Sequence, residues 1–241
     1  MDNRVLKTYA SKYGAAMEIQ NITVPFVLNV SVNCYLVKVD DGYVLIDTGR
    51  GGKRKAIEGA LEEAGCRPGN LKLILLTHGD FDHSGNAAYL REKYAAEIAM
   101  HADDAGMVEH GDMTWNRRKP NVVFRALLGL LYTLGESDRF TADRFVDEGD
   151  DLGQYGLNAQ ILSVPGHSKG SISLLTSDGD LFCGDLLANT SKPDLWSIID
   201  DQGAAEASVE KLMGYEITTV YPGHGQPFPM EAFTKYRTSN S

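Results

Sequence analysis

The heptapeptide THGDFDH, residues 77–83, places four potential metal ligands within six positions, directly after the apolar run LKLILL, which predicts a buried strand. Imidazole and carboxylate groups suit zinc, iron or manganese. In an extended segment, side chains two positions apart point the same way. We therefore expect His78, Asp80 and Asp82 to converge, while the following bend turns His83 toward a second point.

An alternative for this stretch is a polar loop whose His and Asp side chains cap a helix that begins near Ser84. Three later loops argue against it. The segments PGH at 165–167, GD at 184–185 and PGHG at 222–225 each follow a predicted strand. Loops at the ends of strands gather beside one another in sheet-based folds, and sites are built there. Independent helix caps would not need this placement, so the pattern favours a metal site.

The order of apolar runs along the chain predicts an α/β fold. Strands come first as a hairpin and then alternate with helices, which indicates two mixed sheets packed face to face with helices outside. We therefore predict a single domain over residues 1–241 with a four-layer αββα sandwich. The predicted strands are 34–39, 43–46, 71–76, 97–100, 157–164, 171–176, 181–183 and 217–221, and the predicted helices are 53–64, 86–94 and 204–213.

Composition limits the partners and the compartment. The 241 residues include 23 Lys and Arg against 33 Asp and Glu, a formal net charge of -10. Nucleic acid binding needs a basic face, so we expect a small-molecule substrate and no nucleic acid partner. Charges within the first 20 residues do not fit a secretion signal. Three scattered thiols fit a reducing compartment, so we expect a cytoplasmic protein without a membrane span, and a homodimer stays open. The thiols are Cys34, Cys66 and Cys183.

These motifs together resemble the metallo-β-lactamase superfamily, from the hairpin before Asp47 to the PGHG at 222–225. The family pattern is His-x-His-x-Asp-His, then a His, an Asp and a His on separate loops. The resemblance implies two divalent metal ions per chain, with zinc expected first. The implied ligands are His78 and His167 for the first ion, Asp82, His83 and His224 for the second, and Asp185 between the two.

The resemblance also implies roles for two carboxylates. The IDTG at 46–49 is similar to the family's early Asp-Thr-Gly turn, which would make Asp47 a residue that orients the metal loop without binding metal. Asp82 would orient the attacking hydroxide and carry its proton, which makes it the expected catalytic residue. No substrate-binding residue follows from the sequence.

Asp80 departs from the family pattern, because a second His normally stands at this position. Either Asp80 only supports the loop, or it is itself a ligand. Flavodiiron relatives place a Glu here and bind two irons. A carboxylate at this position therefore makes binding of iron and manganese more favourable relative to zinc. Two divalent ions, three carboxylates and one hydroxide sum to zero charge, whereas a His at position 80 would leave one positive charge. We therefore expect the centre to attract anions less strongly.

The function implied is hydrolysis of an ester, thioester, lactone or phosphoester by a metal-bound hydroxide. The motifs PGHSKGS and PGHG most resemble those of the glyoxalase II and lactonase members of the superfamily. One alternative is a di-iron oxidoreductase related to the flavodiiron core, which the carboxylate at position 80 suggests. Another is a metal-binding module without catalysis.

A helical insertion is expected around 102–140. Within it, Pro120 to Gly135 is apolar on nearly every side of the predicted helix. Such a helix must be covered, and it is too short for a membrane span. Three interpretations remain open: core packing, a lid over the metal site, or a dimer contact.

Overall fold

The computed structural model describes residues 5–8, 17–27, 30–117 and 134–240. Its strands are β1 Val5–Thr8, β2 Glu18–Val27, β3 Val30–Val39, β4 Gly42–Ile46, β5 Leu71–Leu75, β6 Glu97–Met100, β7 Arg144–Phe145, β8 Ala159–Ser163, β9 Ile172–Thr176, β10 Asp180–Gly184, β11 Leu187–Asn189, β12 Pro193–Leu195, β13 Thr219–Pro222 and β14 Phe228–Pro229. Its helices are α1 Arg54–Glu63, α2 Phe81–Ser84, α3 Ala87–Tyr94, α4 Ala102–His110, α5 Gln202–Leu212 and α6 Met230–Asn240.

Two mixed sheets form the centre of the fold. The larger sheet contains β1 to β7 in chain order; it is antiparallel as far as β4 and parallel from β4 to β7. The smaller sheet has the order β14-β13-β10-β9-β8, in which only β10 and β13 are parallel. Parallel neighbours need crossover connections, and α1 and α3 supply them between β4, β5 and β6.

Three apolar clusters separate the layers. The middle cluster joins the two sheets, with Val37 and Leu75 from the larger sheet facing Leu174 and Phe182 from the smaller. A second cluster packs α1, α3 and α4 on the outer face of the larger sheet, and a third packs α5 and α6 on the smaller. The order helix, sheet, sheet, helix confirms the predicted four-layer αββα sandwich.

Helix α1 illustrates how the pattern produces an element. Ile57, Ala60 and Leu61 recur at helical spacing and are its buried residues, while the other faces carry charges. The chain then turns at Gly65, whose φ of 86° is a left-handed conformation that glycine adopts without a steric penalty. The predicted helix at 53–64 agrees with this element to within a residue.

The expectation that the 34–39 hairpin opens the fold is wrong. Strand β2 pairs with β3 along most of its length, and β1 pairs with β2. The sequence does not predict strand β2, because Gln20 and Asn21 interrupt its apolar alternation. Pro25 also argues against a strand, since proline is rare inside strands. The pairing with β3 shifts register between Pro25 and Val27.

The predicted insertion is described only at its two ends. Helix α4 occupies the start of the 102–140 region, and Leu134 is buried near its end. The apolar stretch from 120 to 135 lies outside the described residues except for its last two positions. Within the described ranges, none of the helices is both long enough and apolar enough to cross a membrane.

Candidate metal centre

The predicted ligands come from loops of both sheets. Four of them follow β5 of the larger sheet, and one each follows β8, β10 and β13 of the smaller sheet. The structure brings all seven together, six of them buried and Asp80 partly exposed. The seven are His78, Asp80, Asp82, His83, His167, Asp185 and His224.

The THGDFDH segment changes from extended to helical backbone after Asp80. The backbone at Asp80 is still extended, with φ −63° and ψ 144°, and α2 begins at the next residue. The amides of His83 and Ser84 donate to the Asp80 carbonyl, which closes this turn. The expectation that Asp82 continues one extended segment is therefore wrong. Because it lies in a helical turn, Asp82 Oδ2 lies 3.6 Å from Nε2 of His224 and 3.9 Å from Nε2 of His83.

All four histidines are anchored through Nδ1. His78 Nδ1 lies 3.0 Å from Thr77 Oγ1, and His83 Nδ1 lies 2.9 Å from Asp47 Oδ2. His167 Nδ1 contacts the Ile198 carbonyl at 2.6 Å, and His224 Nδ1 contacts the Ser31 carbonyl at 2.8 Å. A bonded Nδ1 fixes the ring and turns Nε2 inward. As a result, the Nε2 atoms of these four histidines face the same space.

The inward atoms are spaced like ligands of a common ion. Asp80 Oδ2 is 2.9 Å from His167 Nε2, Asp185 Oδ2 is 3.2 Å from His224 Nε2, and Asp185 Oδ1 is 3.4 Å from His83 Nε2. Metal bonds of about 2.1 Å in a tetrahedron separate ligands by about 3.4 Å. Groups of three donors lie within 4.8 Å of one another: His78, Asp80 and His167; Asp82, His83 and His224; His78, His83 and Asp185.

The donor set fits divalent metal ions. His78 Nε2, His83 Nε2 and Asp185 Oδ1 are buried and have no hydrogen-bond partner among the described residues. Buried polar atoms are normally paired, and three unpaired ones facing the same space need an explanation. A cation at that space would satisfy them. The donors are imidazole and carboxylate only, which suits zinc, iron or manganese.

Electrostatics at the centre favour bound cations. Burial opposes the charged form of His83, but Asp185, Asp47 and Asp82 raise its pKa to about 10. Burial would raise the pKa of Asp185, but His224 and His83 hold it below its ordinary value. Without metal, the carboxylates therefore keep protons on the imidazoles of His83 and His224. Metal binding would displace those protons, so affinity should fall in acid.

Asp47 supports the larger-sheet loop from behind. Its φ of 58° is left-handed, a conformation that Asp tolerates better than most residues. Oδ1 accepts from the Thr77 amide at 2.9 Å, and Oδ2 accepts from Thr77 Oγ1 at 2.8 Å as well as contacting His83 Nδ1. The Asp47 carboxylate thus ties the first residue of the motif to the ring of the last.

Arg117 is a charged neighbour that the sequence did not reveal. Its Nη1 lies 2.9 Å from Asp80 Oδ1 as an ion-pair contact, and its Nη2 donates a hydrogen bond to Asp80 Oδ2 at 3.0 Å. Burial would raise the pKa of Asp80, but Arg117 and the nearby imidazoles of His167 and His78 hold it well below its usual range. The pair joins residues 37 positions apart, and no motif marks Arg117.

Asp104 is a second residue that sequence reasoning missed. Its Oδ2 accepts from the Gly79 amide at 3.1 Å and from Ser168 Oγ at 2.6 Å, and its Oδ1 accepts from the Gly170 amide at 2.9 Å. This buried carboxylate therefore joins the loop after β5 to the loop after β8. The Ser168 hydroxyl is engaged in holding that loop.

An aromatic rim adjoins the centre around His224. The Trp196 ring stacks on His224, with centroids 4.5 Å apart at 17°. Phe26 lies 5.7 Å from the same imidazole and 5.7 Å from Phe81. Ile198, whose carbonyl contacts His167, has a 60% exposed side chain. These side chains form an apolar surface beside the centre.

An αββα sandwich with imidazoles and carboxylates gathered on neighbouring loops is the arrangement of a metallohydrolase. The chain belongs to the metallo-beta-lactamase superfamily, whose family model matches residues 28–224.

Individual relatives carry enzyme names. Hydroxyacylglutathione hydrolase GloC of Haemophilus influenzae is 31% identical over 173 residues, which are 69% of this chain and 72% of the relative. Acyl-coenzyme A thioesterase MBLAC2 of Bos taurus is 29% identical over 224 residues, which are 83% of this chain and 75% of the relative. A crystal structure of TTHA1623 in a di-iron-bound form aligns with a TM-score of 0.69 and 26% identity, over 89% of this chain and 96% of that chain.

Proposed function

We propose that this protein is a di-metal hydrolase whose substrates are small-molecule thioesters, with simple esters as a second class. The observation that carries the proposal is the convergence of four anchored Nε2 atoms and three carboxylates on one space. When bound, two divalent ions would supply an activated water near neutral pH and stabilise the oxyanion that forms on the substrate carbonyl.

The ligands divide into two sets in this proposal. His78, Asp80 and His167 hold the first ion, because their donors form one of the close groups. Asp82, His83 and His224 form another close group and hold the second ion. Asp185 Oδ2 lies 3.2 Å from His224 Nε2 and 3.9 Å from His167 Nε2, so it can reach both ions. Zinc is the metal we expect first, and the carboxylate of Asp80 keeps iron and manganese as candidates.

Asp82 is the proposed catalytic residue. Without bound ions, burial raises the pKa of its carboxyl, and the neighbouring Asp80 and Asp185 act in the same direction. A carboxylate of this kind can orient the attacking water and hold its proton. We expect Asp82→Asn to retain the fold and to lose most of kcat.

Thioesters are favoured over phosphoesters by two relatives. One is named for hydrolysis of hydroxyacylglutathione and the other for thioesterase action on acyl-coenzyme A. The aromatic rim beside His224 would accept an acyl group. These names do not favour the di-iron oxidoreductase considered from the sequence. The three cysteines are free and buried, which supports a reducing compartment such as the cytoplasm.

The first test measures metal content in protein purified without added metal. We expect about two ions per chain in wild type and a loss of the second ion in His224→Ala. His110→Ala is the matched control, because His110 packs against Trp115 outside the donor groups. Unchanged metal content in His224→Ala would contradict the proposed role of His224 as a ligand of the second ion.

Activity is tested with a hydroxyacylglutathione, short acyl-coenzyme A thioesters, a p-nitrophenyl ester and a phosphodiester. Hydrolysis should be fastest for a thioester and should disappear with a chelator. A phosphodiester turned over faster than every thioester would contradict the proposed substrate class while leaving the metal centre intact.

A further inference from the structure

We propose that Arg117 is a positioning residue of the first metal site, which holds Asp80 so that one carboxylate oxygen faces His78 and His167. This inference rests on the proposed metal centre and deepens it. It explains how a carboxylate can stand where the family pattern has an imidazole.

The geometry fixes the direction of the Asp80 carboxylate. The guanidinium contacts both oxygens, with an ion-pair contact of 2.9 Å to Oδ1 and a hydrogen bond of 3.0 Å to Oδ2. Oδ2 then lies 2.9 Å from His167 Nε2 and 3.6 Å from His78 Nε2, while Oδ1 faces away from these rings toward Nη1 of Arg117 at 2.9 Å. A carboxylate held in this way offers one oxygen to the metal, as an imidazole offers one nitrogen.

Burial makes the ion pair depend on both partners. The side chain of Arg117 is 16% exposed and that of Asp80 is 14% exposed. Removing one partner of such a pair leaves a charge without compensation in a poorly solvated place. Asp80 without Arg117 would therefore turn toward solvent, and that change removes a metal ligand.

Charge balance points the same way. Asp80 and Arg117 together carry no net charge, which is also the charge of a neutral His. The expectation from sequence that Asp80 makes the centre more neutral counted the carboxylate alone. With Arg117 included, the centre recovers the one positive charge that the usual pattern has, and its attraction for anions with it.

A competing interpretation is that the guanidinium takes the place of the first ion. Nη2 of Arg117 lies 3.3 Å from His167 Nε2, close enough to compete for that nitrogen. However, a cation in the metal's place should engage all three donors, and His78 Nε2 has no hydrogen-bond partner among the residues that the structure describes. The third donor is therefore still open to a metal, which favours the positioning role.

The test is a competition titration with a chromophoric zinc chelator, combined with metal content by mass spectrometry, on wild type, Arg117→Met and Arg117→Lys. Arg117→Met should retain the second ion and bind the first about 10–100-fold more weakly, the usual cost of losing a residue that orients a ligand. Arg117→Lys keeps the charge without the fork and should fall between the two. Retention of the second ion reports that the variants are folded.

Two further variants sharpen the test. Lys169→Met removes a positive charge near the same loop, where Lys169 Nζ donates a hydrogen bond to Asn116 Oδ1 at 2.8 Å, and should bind metal like wild type. In an Asp80→His background, Arg117→Met should no longer weaken the first site, because an imidazole needs no guanidinium partner.

The outcomes separate this inference from the proposed function. Wild type with two ions and an Arg117→Met variant of unchanged affinity would overturn the positioning role alone. Wild type with one ion and Arg117→Met with two would show that the guanidinium replaces the metal, which also overturns it. Wild type that binds no metal would overturn the proposed centre and this inference together.

Discussion

Gly223 has no room for a side chain. A Cβ there would lie 2.2 Å from Asp185 Oδ1 and 2.7 Å from His83 Cε1. The backbone cannot easily retreat, because the Gly223 carbonyl accepts from Asn33 and its amide donates to Gly184, both at 2.8 Å. We expect Gly223→Ala to displace Asp185, to weaken metal binding, and to lower the free energy of unfolding by about 1–3 kcal/mol.

Gly59→Ala is the matched control for this substitution. Gly59 lies inside α1, and a Cβ there would meet nothing within 4 Å. Alanine in a helix interior should raise the free energy of unfolding by about 0.5–1 kcal/mol. Denaturant titrations and metal affinity check both variants. Wild-type metal affinity in Gly223→Ala would show that the close packing of this loop is not needed.

At the scale of residues, the sequence could indicate ligands but not their neighbours. His and Asp at strand ends form a recognisable pattern, and the structure gathers all seven candidates. Arg117 and Asp104 were missed because their contacts cross 37 and 25 residues and depend on how the chain folds back. A lone Arg or Asp in a polar stretch has no local signature.

The segment between β12 and α5 lies beside the metal centre and forms one of its walls. It carries Trp196 and Ile198 and supplies the carbonyl that holds His167. Substrates with longer acyl chains should bury methylenes against it, each contributing about 0.8 kcal/mol, or about fourfold in kcat/KM. A series of p-nitrophenyl esters should show this gain in wild type, and Ile198→Asp should lose it while keeping its metals.

The 120–135 stretch offers a competing wall, as the sequence suggested. Leu128→Asp in the same ester series decides between the two elements, alongside oligomeric state by light scattering. If only Leu128→Asp loses the chain-length gain, the wall lies in that stretch and the role of Ile198 is wrong. If Leu128→Asp instead turns a dimer into a monomer with its length preference intact, the stretch is an interface.

At the scale of elements, long periodic runs were predictable and short or interrupted ones were not. The runs that became β3, β5 and α1 have clear alternation or helical spacing. Strand β2 contains polar residues and a proline, and the ribbon of β11 and β12 has only three residues in each strand. Such strands are defined by their partners, since the local sequence alone does not favour them.

Across the whole molecule, bound metal should stabilise the fold, because the proposed ligands come from both sheets. Free ligand at about 100 times Kd stabilises the native state by about 2.7 kcal/mol per site. For a chain of this size that corresponds to a rise in Tm of roughly 5–11 °C per site. Differential scanning calorimetry with and without chelator should show this difference.

The control for metal removal is His224→Ala, in which one site is already lost. Its Tm should fall by a smaller amount on chelation than that of wild type. A wild type that loses its metals without any change in Tm would mean that the ions do not join the two sheets. Whether the molecule is a homodimer stays a prediction, and the same samples can be checked by light scattering.

The division of the ligands between the two sheets also sets an order in time. A ribosome makes His224 about 150 residues after His78, which at typical rates of synthesis takes about 7–30 s. Through that interval the first four ligands exist without the full set of three that completes their sites. If the proposed ligands bind metal, a nascent chain should hold metal poorly, and the centre should form only after both sheets have folded together. Newly made protein would draw its ions from the cell's exchangeable pool as the last step of maturation.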